Sequence, residues 1–167
     1  MNNTFFIADL HFSDNSIIEY ENRPYDSIEK MNEDLIMKWN KVVTNEDIIF
    51  ILGDFGFSNN EKLIEIGNKL QGKKTLITGN HDTESNEFYF KCGFENVYNF
   101  PIIFDDFWIL SHNLMYINKN MPYGNIFGHV HDNPAIKDFS KQSFCVSVER
   151  INYAPISFEE IKKRVSK

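Results

Sequence analysis

The chain has 167 residues, of which 42% are hydrophobic and 15% aromatic, and its formal net charge is −7. This length and composition suit one folded domain with its own core and argue against intrinsic disorder. The acidic balance argues against an extended nucleic-acid surface, which requires clustered Lys and Arg.

The first half of the chain alternates apolar strand patterns with helix patterns. Short buried strands are predicted over residues 4–8, 48–52 and 75–78. A polar loop over residues 13–25 precedes Asp26, which resembles an N-cap with Glu29 three residues on. Amphipathic helices are predicted over residues 27–43 and 60–70. The order strand–helix–strand–helix–strand favours parallel pairing in an α/β core.

The second half is richer in strand patterns. Residues 97–104 and 107–111 flank the acidic pair Asp105–Asp106, which predicts a hairpin. Further short strands are predicted over residues 125–127 and 144–148, and a closing helix over residues 157–166. We expect these strands to pair mainly antiparallel and to form a second sheet stacked on the first.

Histidines mark the ends of the predicted strands. The chain has five, and each lies at or just beyond the end of an apolar run; they are His11, His81, His112, His129 and His131. Three carboxylate or amide side chains share this setting: Asp9, Asp54 and Asn80. Because sites in open α/β sheets form outside the carboxyl ends of the strands, these residues are expected to converge. Their mixed N/O ligand set, without thiolate, suits Mn²⁺, Fe, Zn²⁺ or Ni²⁺ more than Ca²⁺ or Mg²⁺.

The motifs DLH, GD, GNHD, SH and GHVH follow one another between Asp9 and His131. Singly they are weak, since a lone D-x-H suits a surface turn and GNHD suits a tight turn. In this order the set resembles the signature of the calcineurin-like metallophosphoesterases. The compact length and the segments at residues 22–25 and 146–156 resemble a small bacterial and phage branch of that family.

The resemblance implies the fold, the cofactors and the reaction. The fold is a four-layer αββα sandwich of two mixed β-sheets flanked by helices, here over residues 1–167 and without a cap domain. The cofactors are two divalent transition-metal ions, with Mn²⁺ the first expectation and Fe, Zn²⁺ or Ni²⁺ as alternatives. The reaction is hydrolysis of a phosphodiester or small phosphomonoester by a hydroxide bridging the two ions.

The resemblance also assigns the roles of single residues. Asp9, His11 and His131 hold one ion, Asn80, His112 and His129 hold the other, and Asp54 bridges the two. His81 is then a catalytic acid near the leaving oxygen, and Asp82 orients it and raises its pKa. Two divalent ions outweigh the charges of Asp9 and Asp54, so an acidic protein can still attract a phosphate.

Arg23 is a candidate clamp for substrate phosphate, because guanidinium matches phosphate bidentately. The alternative interpretation is a solvated loop arginine.

Three alternative functions compete with this interpretation. A protein phosphatase is the second candidate within the enzyme class. A non-catalytic scaffold of the same fold is disfavoured because such scaffolds lose the histidine at position 81. An oxygen-activating metal protein would favour a facial triad over a two-metal set.

The N-terminus and the cysteines bear on location. No signal peptide is predicted, because the first residues lack a basic segment followed by an apolar run. No stretch approaches the roughly 18 apolar residues of a membrane span. Cys92 and Cys145 are too few for a disulfide framework and are expected to be free, buried thiols. A cytoplasmic protein acting on a small phosphate ester is therefore expected.

Overall fold

The computed structural model describes residues 2–57, 60–118, 120–136 and 142–165. Its strands are β1 Thr4–Ile7, β2 Ile48–Leu52, β3 Lys73–Ile77, β4 Phe94–Tyr98, β5 Ile102–Phe104, β6 Trp108–Leu110, β7 Gly124–Phe127, β8 Ser143–Cys145 and β9 Ile156–Ser157. Its α-helices are α1 Ser16–Tyr20, α2 Ile28–Val42, α3 Asn60–Lys69, α4 Asn86–Lys91 and α5 Phe158–Val165, and a 3₁₀ helix spans Val148–Ile151.

The first sheet has the strand order β4-β3-β2-β1-β9. Strands β1 to β4 pair in parallel, as the alternation of strands and helices predicts. Only β9 runs antiparallel, against β1. The carboxyl ends of β1, β2 and β3 therefore lie side by side at one edge.

The second sheet has the order β5-β6-β7-β8 and is also mixed. Strands β5 and β6 form the predicted hairpin, with Phe104 opposite Trp108. The prediction of mainly antiparallel pairing is wrong, because β6–β7 and β7–β8 are parallel. Long connections separate these strands in sequence, and a strand pattern alone does not reveal the direction in which such strands pair.

Aromatic rings fill the space between the two sheets. Phe6 and Phe50 are partners in register on β1 and β2, so both point to the same face. The ring centroid of Phe104 on β5 lies 5.6 Å from that of Phe6 and 5.2 Å from that of Phe50. Phe158 of α5 packs against the same cluster. The two mixed sheets with flanking helices match the expected α/β fold class.

Several local predictions require correction. Helix α2 is capped by Ser27, whose side chain accepts from the Lys30 amide, and not by Asp26. The predicted strand over residues 97–104 is divided between β4 and β5, which belong to different sheets, at a bend before Pro101. Helices α1 and α4 are too short to show a helical period. Residue 166 of the predicted closing helix lies outside the described residues.

A bridge between the ends of β1 and β8 connects the sheets at their shared edge. The Ala8 amide donates to the carbonyl of Val146 at 2.9 Å, and the Val148 amide donates to that of Ala8 at 3.2 Å. The segment after β8 is thereby placed beside the turn that follows β1. In the part of the chain that the structure describes, no helix is long and apolar enough to cross a membrane.

Candidate metal centre

The predicted ligands lie on turns that follow five strands of the two sheets. Asp9 and His11 follow β1, Asp54 follows β2, Asn80 follows β3, His112 follows β6, and His129 and His131 follow β7. The strand topology therefore brings to one edge residues that are far apart in sequence.

Asp9, His11 and His131 form one candidate metal site. Their ligand atoms all lie within 4.8 Å of one another. His11 Nδ1 faces Asp14 Oδ2 at 3.2 Å, while its buried Nε2 has no hydrogen-bond partner among the described residues. A metal ion bound here would give this buried nitrogen a partner.

The electrostatics of His11 fit this assignment. Burial lowers the pKa of His11, but the nearby carboxylates of Asp14 and Asp54 outweigh it and raise the pKa to about 9. The same carboxylates that raise this pKa would favour a metal ion beside the imidazole.

Asp54, His112 and His129 form the second candidate site, and their ligand atoms also lie within 4.8 Å of one another. His112 Nε2 lies 3.0 Å from His129 Nδ1 and 2.9 Å from Asn80 Oδ1. The other nitrogen of His112 is held by the carbonyl of Leu52 at 2.9 Å. The amide oxygen of Asn80 is therefore adjacent to this candidate site.

Asp54 lies between the two candidate sites. Its Oδ2 is 3.5 Å from His11 Nε2 and 3.4 Å from His112 Nε2. Burial raises the pKa of Asp54, but the neighbouring histidines and the His81 amide outweigh it and lower the pKa to about 2. An ionised carboxylate oxygen at nearly equal distances from a histidine of each site is suited to bridge two cations.

The backbone at the ligands is in an unusual conformation. Positive φ angles of 58°, 51°, 55°, 70° and 44° occur at Asp9, His11, Asp54, His129 and His131 respectively. Non-glycine residues adopt this region at a cost, and such residues cluster at functional sites. The turns are held by hydrogen bonds such as that from the His129 amide to Asp9 Oδ2 at 2.9 Å.

Glycines precede several ligands because the site leaves no room for a Cβ. A Cβ on Gly53, whose φ is 86°, would collide with the His112 ring. A Cβ on Gly79 would collide with the carboxylate of Asp54. The GD and GNH motifs thus reflect close packing at the metal centre.

His81 is exposed and lines a cleft of about 330 Å³ together with Asp54, Asn80 and His129. Its ring centroid lies 5.1 Å from that of His11. Its backbone amide donates to Asp54 Oδ1 at 2.9 Å, which fixes the turn while leaving the ring free to face the cleft.

Asp82 does not take the predicted position beside the His81 ring. Its carboxylate is buried and accepts the backbone amides of Asp54, Phe55 and Gly79 at 2.7, 3.0 and 2.8 Å. No hydrogen bond joins Asp82 to the His81 ring in the described part of the chain. Asp82 therefore holds the turn after β2 against the turn after β3, and these contacts do not support the predicted role of orienting His81.

Arg23 does not face the cleft, so the structure does not support a phosphate clamp at this position. Its side chain is 0% exposed. The guanidinium donates to the carbonyls of Leu10 and Asp9 at 2.9 and 2.6 Å, and to Glu149 Oε1 at 2.9 and 2.7 Å. Arg23 thus ends in a buried ion pair beneath the site.

Arg23→Ala is expected to destabilise the metal-free protein by about 3–5 kcal/mol, because it removes the guanidinium that is ion-paired with the buried Glu149 carboxylate. Urea unfolding of the metal-free protein measures this loss. Arg164→Ala is the matched control, since Arg164 forms an exposed ion pair with Glu160 and should cost about 1 kcal/mol or less. Equal, small losses in both variants would contradict the buried pair.

Two carboxylates at the site were not predicted from the sequence. Asp14 faces His11, and Glu149 Oε1 lies 3.1 Å from His131 Nδ1. Asp14 follows His11 by three residues, a spacing that could have suggested contact. Glu149 gives no such local signal, because it reaches the site from the segment after β8.

Comparisons with known proteins support the family resemblance that the sequence motifs indicate. The sequence profile described as calcineurin-like phosphoesterase matches residues 3–160. An uncharacterised protein of Methanocaldococcus jannaschii is 37% identical over 174 residues, spanning 100% of this chain and 93% of its own length. The gene 66 protein of Mycobacterium phage L5 is 34% identical over 85 residues, which are 49% of this chain and 41% of the phage protein.

Two solved structures are similar to this fold. A protein of unknown function from Aquifex aeolicus has a TM-score of 0.74 at 26% identity, over 98% of this chain and 100% of that protein. The nuclease MPE of Pseudomonas putida has a TM-score of 0.54 at 19% identity, over 77% of this chain and 61% of that structure. At such identity the second likeness is one of fold.

Proposed function

This chain belongs to the calcineurin-like phosphoesterase family, and on that premise we propose that it is a metal-dependent hydrolase of a phosphodiester or a small phosphomonoester. The observation that carries the proposal is the position of Asp54 Oδ2, which lies between two groups of potential metal ligands. Two ions bound there would acidify a water molecule and neutralise the phosphate.

The residues of the chain have distinct roles in this proposal. Asp9, His11 and His131 hold one ion, Asn80, His112 and His129 hold the other, and Asp54 contributes to both. Nitrogen and carboxylate ligands suit Mn²⁺ first, with Fe, Zn²⁺ or Ni²⁺ as alternatives. His81 lines the cleft and donates a proton to the leaving oxygen.

The presence of His81 in the cleft favours an enzyme over a non-catalytic scaffold. A scaffold would need the metal ligands for its fold but would have no use for an exposed histidine beside them. The fold shared with the nuclease MPE of Pseudomonas putida supports a diester substrate. The net charge of −7 argues against a broad nucleic-acid surface around the cleft.

We further propose that residues 1–167 act as one domain without a cap and that the protein is cytoplasmic. The buried, unpaired thiols of Cys92 and Cys145 agree with a reducing compartment.

The test is metal analysis together with a substrate panel. Protein purified without metal is loaded with Mn²⁺, Fe²⁺, Zn²⁺ or Ni²⁺, and bound ions are counted by elemental analysis. We expect two ions per chain and metal-dependent hydrolysis of at least one of bis(nitrophenyl) phosphate, nitrophenyl phosphate, alkyl diesters and a DNA oligonucleotide. A fully loaded protein that hydrolyses none of them would favour the scaffold.

A further inference from the structure

Glu149 is a buried carboxylate beside the candidate metal centre, but it is not one of the predicted metal ligands. Glu149 lies on the 3₁₀ helix Val148–Ile151, and its side chain is only 5% exposed. Its Oε1 atom receives three contacts, one from His131 and two from Arg23. Its Oε2 atom has no hydrogen-bond partner among the described residues.

The contact with His131 decides which imidazole nitrogen can bind metal. His131 Nδ1 lies 3.1 Å from Glu149 Oε1. A carboxylate at this position accepts a hydrogen bond from a protonated Nδ1. The proton then resides on Nδ1, and Nε2 keeps its lone pair for an ion. Metal-ligating histidines generally donate their second nitrogen to a partner of this kind, which fixes the ring and raises ligand basicity.

Arg23 connects this carboxylate to the other turn of the same metal site. Its guanidinium binds Glu149 on one side and the carbonyls of Asp9 and Leu10 on the other. Asp9 is itself a candidate ligand, and Leu10 separates it from His11. The side chain therefore spans from the turn after β1 to the helix that supports His131.

We propose that Glu149 is a positioning residue for the metal ligand His131, and that Arg23 holds Glu149 in place relative to the Asp9–His11 turn. The inference rests on the proposed metal-dependent function. Neither side chain contacts the cleft that would hold a substrate. Both act through the ligands of one ion.

The proposal predicts an effect on one ion and not on the other. Within the second site, His112 is oriented by the carbonyl of Leu52, to which neither Glu149 nor Arg23 is bonded. A change at Glu149 should therefore loosen the ion held by Asp9, His11 and His131 while the second ion keeps its affinity. A merely structural carboxylate would lower the stability without this selectivity.

Equilibrium dialysis of metal-free protein against Mn²⁺ tests the proposal, with Glu149→Gln as the main variant. Glutamine keeps the size of the side chain but removes the charge. We expect one Mn²⁺ dissociation constant to rise about 10- to 100-fold and the other to stay unchanged. Glu65→Gln is the matched control, because Glu65 is ion-paired with Lys69 on the exposed face of α3.

Arg23→Lys provides a second variant if Glu149→Gln does not fold. Lysine keeps the positive charge but cannot bind both carbonyls and the carboxylate at once. It should weaken the same ion selectively. Thermal unfolding of each metal-free variant identifies those that fold.

The outcomes separate this inference from the proposed function. Wild-type protein that binds no Mn²⁺ would contradict the metal-dependent function itself. Wild-type protein with two ions and a Glu149→Gln variant with unchanged constants would overturn only the positioning role. Equal weakening of both ions, accompanied by lower thermal stability, would overturn it as well.

Discussion

Replacing Asp54 by alanine is expected to remove both metal ions and to reduce hydrolysis to the level of the metal-free protein. Asp54 Oδ2 lies 3.5 Å from His11 Nε2 and 3.4 Å from His112 Nε2, so a single carboxylate serves both sites. Losing it also removes one of the two negative charges among the ligands. Elemental analysis after dialysis against Mn²⁺ measures the effect.

A second variant and a control make this result interpretable. Asp54→Asn keeps the shape of the side chain, so loss of both ions there would identify the charge as the cause. Asp26→Ala removes an aspartate whose side chain is 85% exposed, and it should retain two ions. An Asp54→Ala protein that still binds two ions with wild-type affinity would show that Asp54 does not bridge them.

The convergence of the candidate ligands could be predicted because it depends on local features. Each follows an apolar run, and the parallel order of β1, β2 and β3 follows from the helices between them. Carboxyl ends of parallel strands meet at one edge, so Asp9, Asp54 and Asn80 had to be neighbours. Gly53 and Gly79 precede two of these ligands because a Cβ would not fit.

The surroundings of the ligands could not be predicted in the same way. Arg23 was predicted to bind phosphate because a guanidinium group matches phosphate. The residue type alone does not reveal that its side chain is buried. Its partner Glu149 is 126 residues away in sequence. The bridge between Ala8 and Ser147 places the helix of Glu149 beside the turn after β1, which Arg23 also contacts.

Adjacency in sequence was misleading at Asp82. The side chain next to His81 seemed placed to orient it, yet the turn directs the two side chains apart. Asp82 binds three backbone amides inside the protein, whereas His81 points into the cleft. A turn whose amides need acceptors uses the nearest buried carboxylate, and this need is not visible in a motif.

His81→Ala is expected to keep both ions and to lower the rate on alkyl phosphate esters by about 10²- to 10⁴-fold, the usual contribution of a general acid. The turn should survive, because Asp54 binds the backbone amide of residue 81 and not its side chain. The rate on nitrophenyl esters should fall less, since their leaving groups hardly need a proton. The ratio of kcat/KM on the two ester types measures the effect.

Comparing the two ester types separates proton transfer by His81 from binding of the phosphate. Thr83→Ala serves as the control, since Thr83 is exposed on the same turn and should behave like the wild type. Equal losses of kcat/KM on both ester types would indicate that His81 binds the phosphate instead of donating a proton. Loss of a metal ion in His81→Ala would make His81 a ligand, and the site of Asp9, His11 and His131 would then have to be reassigned around the His11–His81 contact.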